Sequence, residues 1–136
     1  MAIGRKFGDK VYKWHVPDLQ AAAVGLPVEE TSTARFNLNV DAWFGEACSP
    51  TIANVVHHMK YVLSADLSKP ILLSTEGHVF DGLHRLAKCL LEGISTVKYQ
   101  QFKVNPEPSE IVDFEIFKQE RPLIAEALVW MEAHKL

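Results

Sequence analysis

No apolar run of about 18 residues, the length a bilayer-spanning helix needs, occurs in this chain of 136 residues. Cysteine is scarce: Cys48 and Cys89 are the two present. They match no zinc or redox spacing, so neither a disulfide scaffold nor a cysteine-based metal site is expected. Positive charge is not in excess either. The 14 Lys and Arg stand against 17 Asp and Glu, for a net charge of −3, whereas a protein built mainly to grip duplex DNA carries a basic footprint. No internal repeat or low-complexity tract is visible. Residues 1–12 are mixed and charged, unlike a secretory leader. The expectation is a cytoplasmic protein with both thiols reduced.

What is present suits one globular domain. Hydrophobic residues make up 48% and charged residues 23%, the mix of a chain that builds a core of ordinary size. The pattern of elements reads as α/β (α+β). Residues 1–10 look like a loose lead-in. Residues 11–16 alternate and read as a strand stopped by Pro17. Asp18 is placed to cap a short helix over 19–24, which Gly25 ends. Residues 28–30 suit a further strand and 31–33 a loop. Ser49 and Pro50 make a helix start, after which Ile52, Val55, Val56, Met59 and Leu63 recur at helical spacing, as in an amphipathic helix of roughly four turns. Ile71, Leu72 and Leu73 form a fully apolar run, as a buried strand does. A turn at 75–77 then leads into Val79 and Phe80, which suggests a hairpin.

A helix is expected over 81–92, stopped by Gly93, with Leu83, Leu86, Ala87 and Leu90 facing the core and His84, Arg85, Lys88 and Glu92 on the polar arc. A strand follows over 97–104, a linker over 105–108 and a helix over 109–119. Pro122 opens a last helix, whose Leu123, Ile124, Ala127, Leu128 and Met131 form one apolar stripe. That stripe closes a core or serves as a homodimer contact. The expected layout is the lead-in, a domain over 11–104, and a helical extension over 105–136 that packs on it.

The chemistry concentrates at Asp81, Gly82, Leu83, His84 and Arg85. Asp81 suits an N-cap, and Gly82 lets a ligand approach the backbone. The first amides of a helix lack internal partners and, with the helix dipole, favour an anion. Arg85 adds a planar fork that matches phosphate oxygens, and His84 can hold or move a proton near neutral pH. The plainer reading is a turn, a cap and two solvated polar side chains.

The stretch from Pro70 to Ser74, then Gly77, His78, Val79, Phe80 and Asp81-Gly82-Leu83-His84-Arg85-Leu86-Ala87-Lys88, then Gly93 and Val97, resembles the ParB/sulfiredoxin-like superfamily. The likeness extends well over residues 70–104 and more loosely over 14–66. It implies a ParB/sulfiredoxin-like fold, a small mixed sheet packed with helices, and a G-x-H-R corner that binds nucleotide or phosphate. Members include proteins that bind CTP, ATP or ADP and proteins described as ParB-like nucleases. Carried over by position, Gly82, His84 and Arg85 are the implied phosphate contacts, Asp81 fixes the turn and Lys88 reaches the same anion. Mg²⁺ would accompany the nucleotide, with no metal held by protein ligands alone. Sulfiredoxins carry their reactive cysteine where this chain has Leu83, which argues against sulfinic-acid reduction. About 30 residues follow Val104, too few for the helix-turn-helix and dimerisation regions of partition proteins.

Kinase-like members place an acidic residue near the N-terminal strand to activate an acceptor hydroxyl. Glu29 and Glu30 occupy a comparable stretch, and Glu30 is the candidate base, against the plainer reading of a solvated strand end. Asp41, Trp43 and His58 are candidate pocket-lining residues, Trp43 as a stacking face for a base. His57 and His58 are adjacent, so they diverge on a helix and make no metal pair. Asp66 reads as a turn residue ahead of Pro70. Three functions are in view: nucleotide-dependent phosphoryl transfer or hydrolysis, a nuclease or nucleic-acid-binding module, and a non-catalytic interaction protein with a vestigial site.

Overall fold

Two separate sheets organise the chain. The structure, a computed structural model, describes residues 2–39 and 52–134. Its strands are β1 (Ala2–Phe7), β2 (Lys10–His15), β3 (Glu29–Ser32), β4 (Ile71–Leu73), β5 (Val79–Asp81), β6 (Thr96–Gln101) and β7 (Glu110–Asp113). Its α-helices are α1 (Val16–Ala22), α2 (Ile52–Ser64), α3 (Leu83–Glu92), α4 (Phe114–Glu120) and α5 (Pro122–His134). The protein is therefore mixed α+β. Among the described residues no helix is long and apolar enough to cross a membrane. The chain divides into two units, one built from the described residues within Met1–Ala22 and Pro106–Leu136, the other from those within Ala23–Asn39 and Thr51–Asn105.

The first unit holds a three-stranded sheet in the order β1-β2-β7, antiparallel throughout. Residues 1–10 are thus not a loose lead-in. Gly8 and Asp9 form a two-residue turn between the paired Phe7 and Lys10, the loop length that tight hairpins favour. α1 starts two residues before Asp18, directly after β2 ends at His15, with Pro17 in its first turn. Asp18 accepts a hydrogen bond from the Ser109 hydroxyl at 2.8 Å. The helix expected over 109–119 is divided: residues 110–113 pair with β2, and α4 begins only after Asp113, whose carboxylate caps it by accepting from the Glu115 amide at 2.9 Å. Val11, Phe117, Ala125, Leu128 and Met131 form the core of this unit. The buried side of α5 therefore belongs to the unit's own interior. Lys6 on β1 adds an ion pair to Glu132 on α5 at 3.0 Å.

The second unit holds a four-stranded sheet in the order β3-β6-β4-β5. β4 runs parallel to β6 and antiparallel to β5, and β3 lies antiparallel to β6 at the far edge. Ile71, Leu73, Val79, Leu86, Cys89 and Val97 make its core. Burying a side chain such as Leu86 is worth about 1.5–3 kcal/mol. α3 stops at Gly93, which takes the left-handed conformation at φ 68° and donates its amide to the Cys89 carbonyl.

Two helix faces differ from the expected ones. On α3 the inward position falls to Cys89, while Leu90 is exposed. On α2 none of Ile52, Val55, Val56, Met59 and Leu63 is buried: Ile52 is 87% exposed and Leu63 61%. Among the described side chains of that helix, Val62 is the buried one instead. At 100° per residue, Val62 and His58 lie to one side of the apolar stripe, and it is this side that meets α3 through His58. The packed face is set by the α2–α3 contact and not by the most apolar arc.

Candidate functional site

The Asp81–Arg85 corner is shaped first by packing. Asp81 is the last residue of β5, paired with Leu72, so it does not cap the helix. The N-cap of α3 is Gly82, at φ 124° and ψ 15°, and no side chain hydrogen-bonds across the cap. Its carbonyl accepts from the Leu86 amide at 3.0 Å and opens the helical ladder. The missing side chain is explained by a neighbour rather than by ligand access. A β-carbon at this position would meet the Ile71 side chain at 2.4 Å, and its positive φ is one that L-residues rarely adopt. The result is a helix start whose cap supplies no side-chain acceptor, so the partial positive charge of the first turn is left for something else to meet.

Arg85 is anchored more than the sequence suggests. Its Nη1 donates to the Pro70 carbonyl at 3.1 Å, tying α3 to the entry of β4. The same nitrogen lies 3.8 Å from Asp81 Oδ2, outside hydrogen-bond range, with the two side chains 16% and 19% exposed. One corner of the guanidinium is thus engaged, by a carbonyl and by a long ion pair. Lys88 is held elsewhere. Its ammonium donates to the carbonyls of Leu63 at 3.2 Å and Ala65 at 2.9 Å, capping the end of α2.

His84 faces α2. Its Nε2 lies 3.0 Å from Nδ1 of His58, and the two rings meet edge to edge, with 5.3 Å between centroids and 23° between planes. Tyr61 lies against the same imidazole at 5.3 Å, and His57 meets Tyr61 edge-on at 5.1 Å. Burial lowers the His84 pKa; the nearness of His58, Arg85 and His57 lowers it further, and Asp81 opposes them. The His58 pKa is lowered by burial and then by His57.

A cleft of about 260 Å³ opens at this corner, lined by Tyr61, Ser64, Asp66, Lys69, Asp81, Gly82, His84 and Arg85, among others. Asp66 Oδ1 accepts from the Ser68 hydroxyl at 2.6 Å and from its amide at 2.9 Å. These two bonds, with Lys69 and Arg85 nearby, hold its carboxyl below the usual carboxylate range. The cleft therefore carries two acids, Asp66 and Asp81, and two cations, Lys69 and Arg85. Among the described residues no group of three or more His, Cys, Asp or Glu is placed to hold a metal ion.

Asp81, Gly82, His84 and Arg85 are thus brought together, with His58 directly behind His84. Lys88 does not line the cleft. Neither does Glu30. It sits on the edge strand β3 opposite Lys98, while the corner ends β5 at the other edge, three strand spacings or roughly 14 Å across the sheet. Its neighbour Glu29 accepts from the Tyr99 hydroxyl at 2.8 Å. Asp41 and Trp43 lie outside the described residues. Tyr61, Ser64 and Lys69 were not foreseen as cleft residues, and Asp66 was foreseen only as a turn. The signal for them is indirect: they belong to the end of α2 and the loop into β4, next to the strand that Gly82 packs against. No protein-family model, curated protein or solved structure matches this chain.

Proposed function

We propose that the cleft at the start of α3 binds the phosphates of a nucleotide together with Mg²⁺, in the manner of a ParB/sulfiredoxin-like domain, and that phosphoryl transfer or nucleotide hydrolysis is the reaction class it serves. The observation that carries this reading is the convergence of an uncapped helix start, the Arg85 guanidinium and Lys69 on one cleft. Phosphoryl transfer asks a protein mainly for positioning and charge neutralisation, which such groups supply.

The mixed lining favours a metal-bound polyphosphate over a bare polyanion. A nucleic-acid backbone would meet Asp66 and Asp81 as well as the cations. With a nucleotide, those carboxylates supply the hard oxygen donors that suit Mg²⁺, which is commonly held by one or two carboxylates plus substrate phosphates. Asp66 and Asp81 are the residues that would hold it, and its chemistry there would be neutralisation of phosphate charge. Arg85 and Lys69 would orient the phosphates, and His84 would hold or release a proton beside them.

Thermal melting with ATP, ADP, CTP and GTP, each with and without Mg²⁺, tests the proposal, because a ligand that binds only the folded state raises the melting temperature. Stabilisation by one nucleotide, dependent on Mg²⁺ and reduced in Lys69→Gln, is the expected result. Lys69 is the informative variant because its side chain is exposed, whereas Arg85 also holds the Pro70 carbonyl. No shift with any nucleotide at millimolar concentration would remove the proposal. Binding of single-stranded DNA or RNA that falls steeply with salt would replace it with a nucleic-acid role.

A further inference from the structure

We infer that His58 and His84 act as one proton-holding unit at the back of the cleft, and that the entry of an anion makes this unit take up a single proton. The inference rests on reading the cleft as an anion site and adds how that site is regulated.

The geometry sets how many protons the pair can hold. Nδ1 of His58 and Nε2 of His84 face each other at 3.0 Å. Two bare lone pairs repel at that distance, so one proton lies between the rings. Either ring can be the donor while both are neutral. One further proton, placed on the outer nitrogen of the donating ring, keeps the central bond and makes it charge-assisted. A second one sets N–H against N–H between two positive rings whose centroids are 5.3 Å apart. The pair therefore takes up a first proton before it can take up a second, as coupled sites do.

Its surroundings connect that proton to the cleft. His57 and Tyr61 approach from α2, Arg85 from α3 and Asp81 from the end of β5. Asp81 favours the charged state, while Arg85 and His57 oppose it. Asp66 and Lys69 complete the lining beside His84. With two acids balancing two cations there, an imidazolium at His84 tips the lining to net positive. A bound anion cancels the opposition of Arg85 and stabilises the imidazolium. By thermodynamic reciprocity, proton uptake then strengthens anion binding.

Histidine-selective NMR titration of the whole chain between about pH 5 and pH 8, with and without sulfate, tests this. Sulfate keeps its double charge across that range, so any pH dependence belongs to the protein. Calorimetry in buffers of different ionisation heats counts the protons taken up. The expected result is one shared midpoint for His58 and His84. Sulfate should raise it by about one unit, with sulfate affinity about tenfold higher at the acidic end. Independent midpoints for the two rings overturn the unit. Sulfate binding heat with both midpoints unmoved overturns the coupling alone. No binding heat at any pH overturns the anion cleft, and this inference with it.

Discussion

A β-carbon on Gly82 would lie 2.4 Å from Cγ2 of Ile71 and 2.6 Å from its Cβ. Ile71 is fully buried in the core of its sheet, so it has nowhere to retreat. Gly82→Ala also asks an L-residue to sit at φ 124°. Backbone strain and overpacking each cost about 1–3 kcal/mol, and here they act at one atom. We expect Gly82→Ala to lose about 3 kcal/mol or more in urea unfolding. Ile71→Ala in the same chain should recover little, since the Ile71 Cβ remains in the way.

Lys88 and Lys69 should separate a structural lysine from a ligand-binding one. Lys88→Met removes two donors from the carbonyls of Leu63 and Ala65 and should cost about 1–2 kcal/mol in chemical denaturation. The nucleotide-induced rise in melting temperature should survive it. Lys69→Gln should change stability by less than about 0.5 kcal/mol and shrink that rise.

The histidine pair should leave a mark on stability as well. The pKa values of His58 and His84 lie below the ordinary 6.5 in the folded protein. The unfolded chain therefore binds protons first as pH falls, and stability drops wherever it binds more. Stability is fully present above 6.5 and declines below it, until the folded pair is protonated in turn. Melting temperature measured in small pH steps should show this decline. His58→Gln, which removes one titrating ring, should flatten it.

How legible this was in the sequence depends on whether the cause was local. Gly93, Pro122 and the run Ile71-Leu72-Leu73 act through their own backbone or neighbours, and each marks the element it should. The hairpin of β1 and β2 also had a local signal, Gly8-Asp9 between extended runs, which the surrounding charges obscured. The split of residues 109–119 into β7 and α4 was hidden because strand pairing with β2 overrides weak helical periodicity. The corner at Gly82 could be found from its spacing, but its reason could not. Ile71 lies eleven residues earlier and reaches Gly82 only once β4 and β5 pair. The partners of Arg85, Lys88 and His84 are likewise distant in sequence: a carbonyl at Pro70, two at the end of α2, and a ring on α2. A helical wheel of α3 cannot show what faces it.

The same distinction decides which carboxylate matters. Glu30 had the right chemistry and the wrong place, since two strands, β6 and β4, separate its edge from β5. Asp66 looked like a turn residue, and it does make one with Ser68. Both Ser68 bonds fall on Oδ1, which leaves Oδ2 as the oxygen directed to other duties, on a cleft that also holds Lys69 and Arg85. Asp66→Asn keeps an acceptor for Ser68 but loses the charge a magnesium ion needs. It should weaken Mg²⁺-dependent nucleotide binding by about tenfold, a difference near 1.4 kcal/mol at 25 °C. The fold should stay intact, as read by calorimetry beside a melting curve. Glu30→Gln should alter neither binding nor turnover. Equal losses in the two variants would mean that the edge strand, not the α3 corner, carries the chemistry.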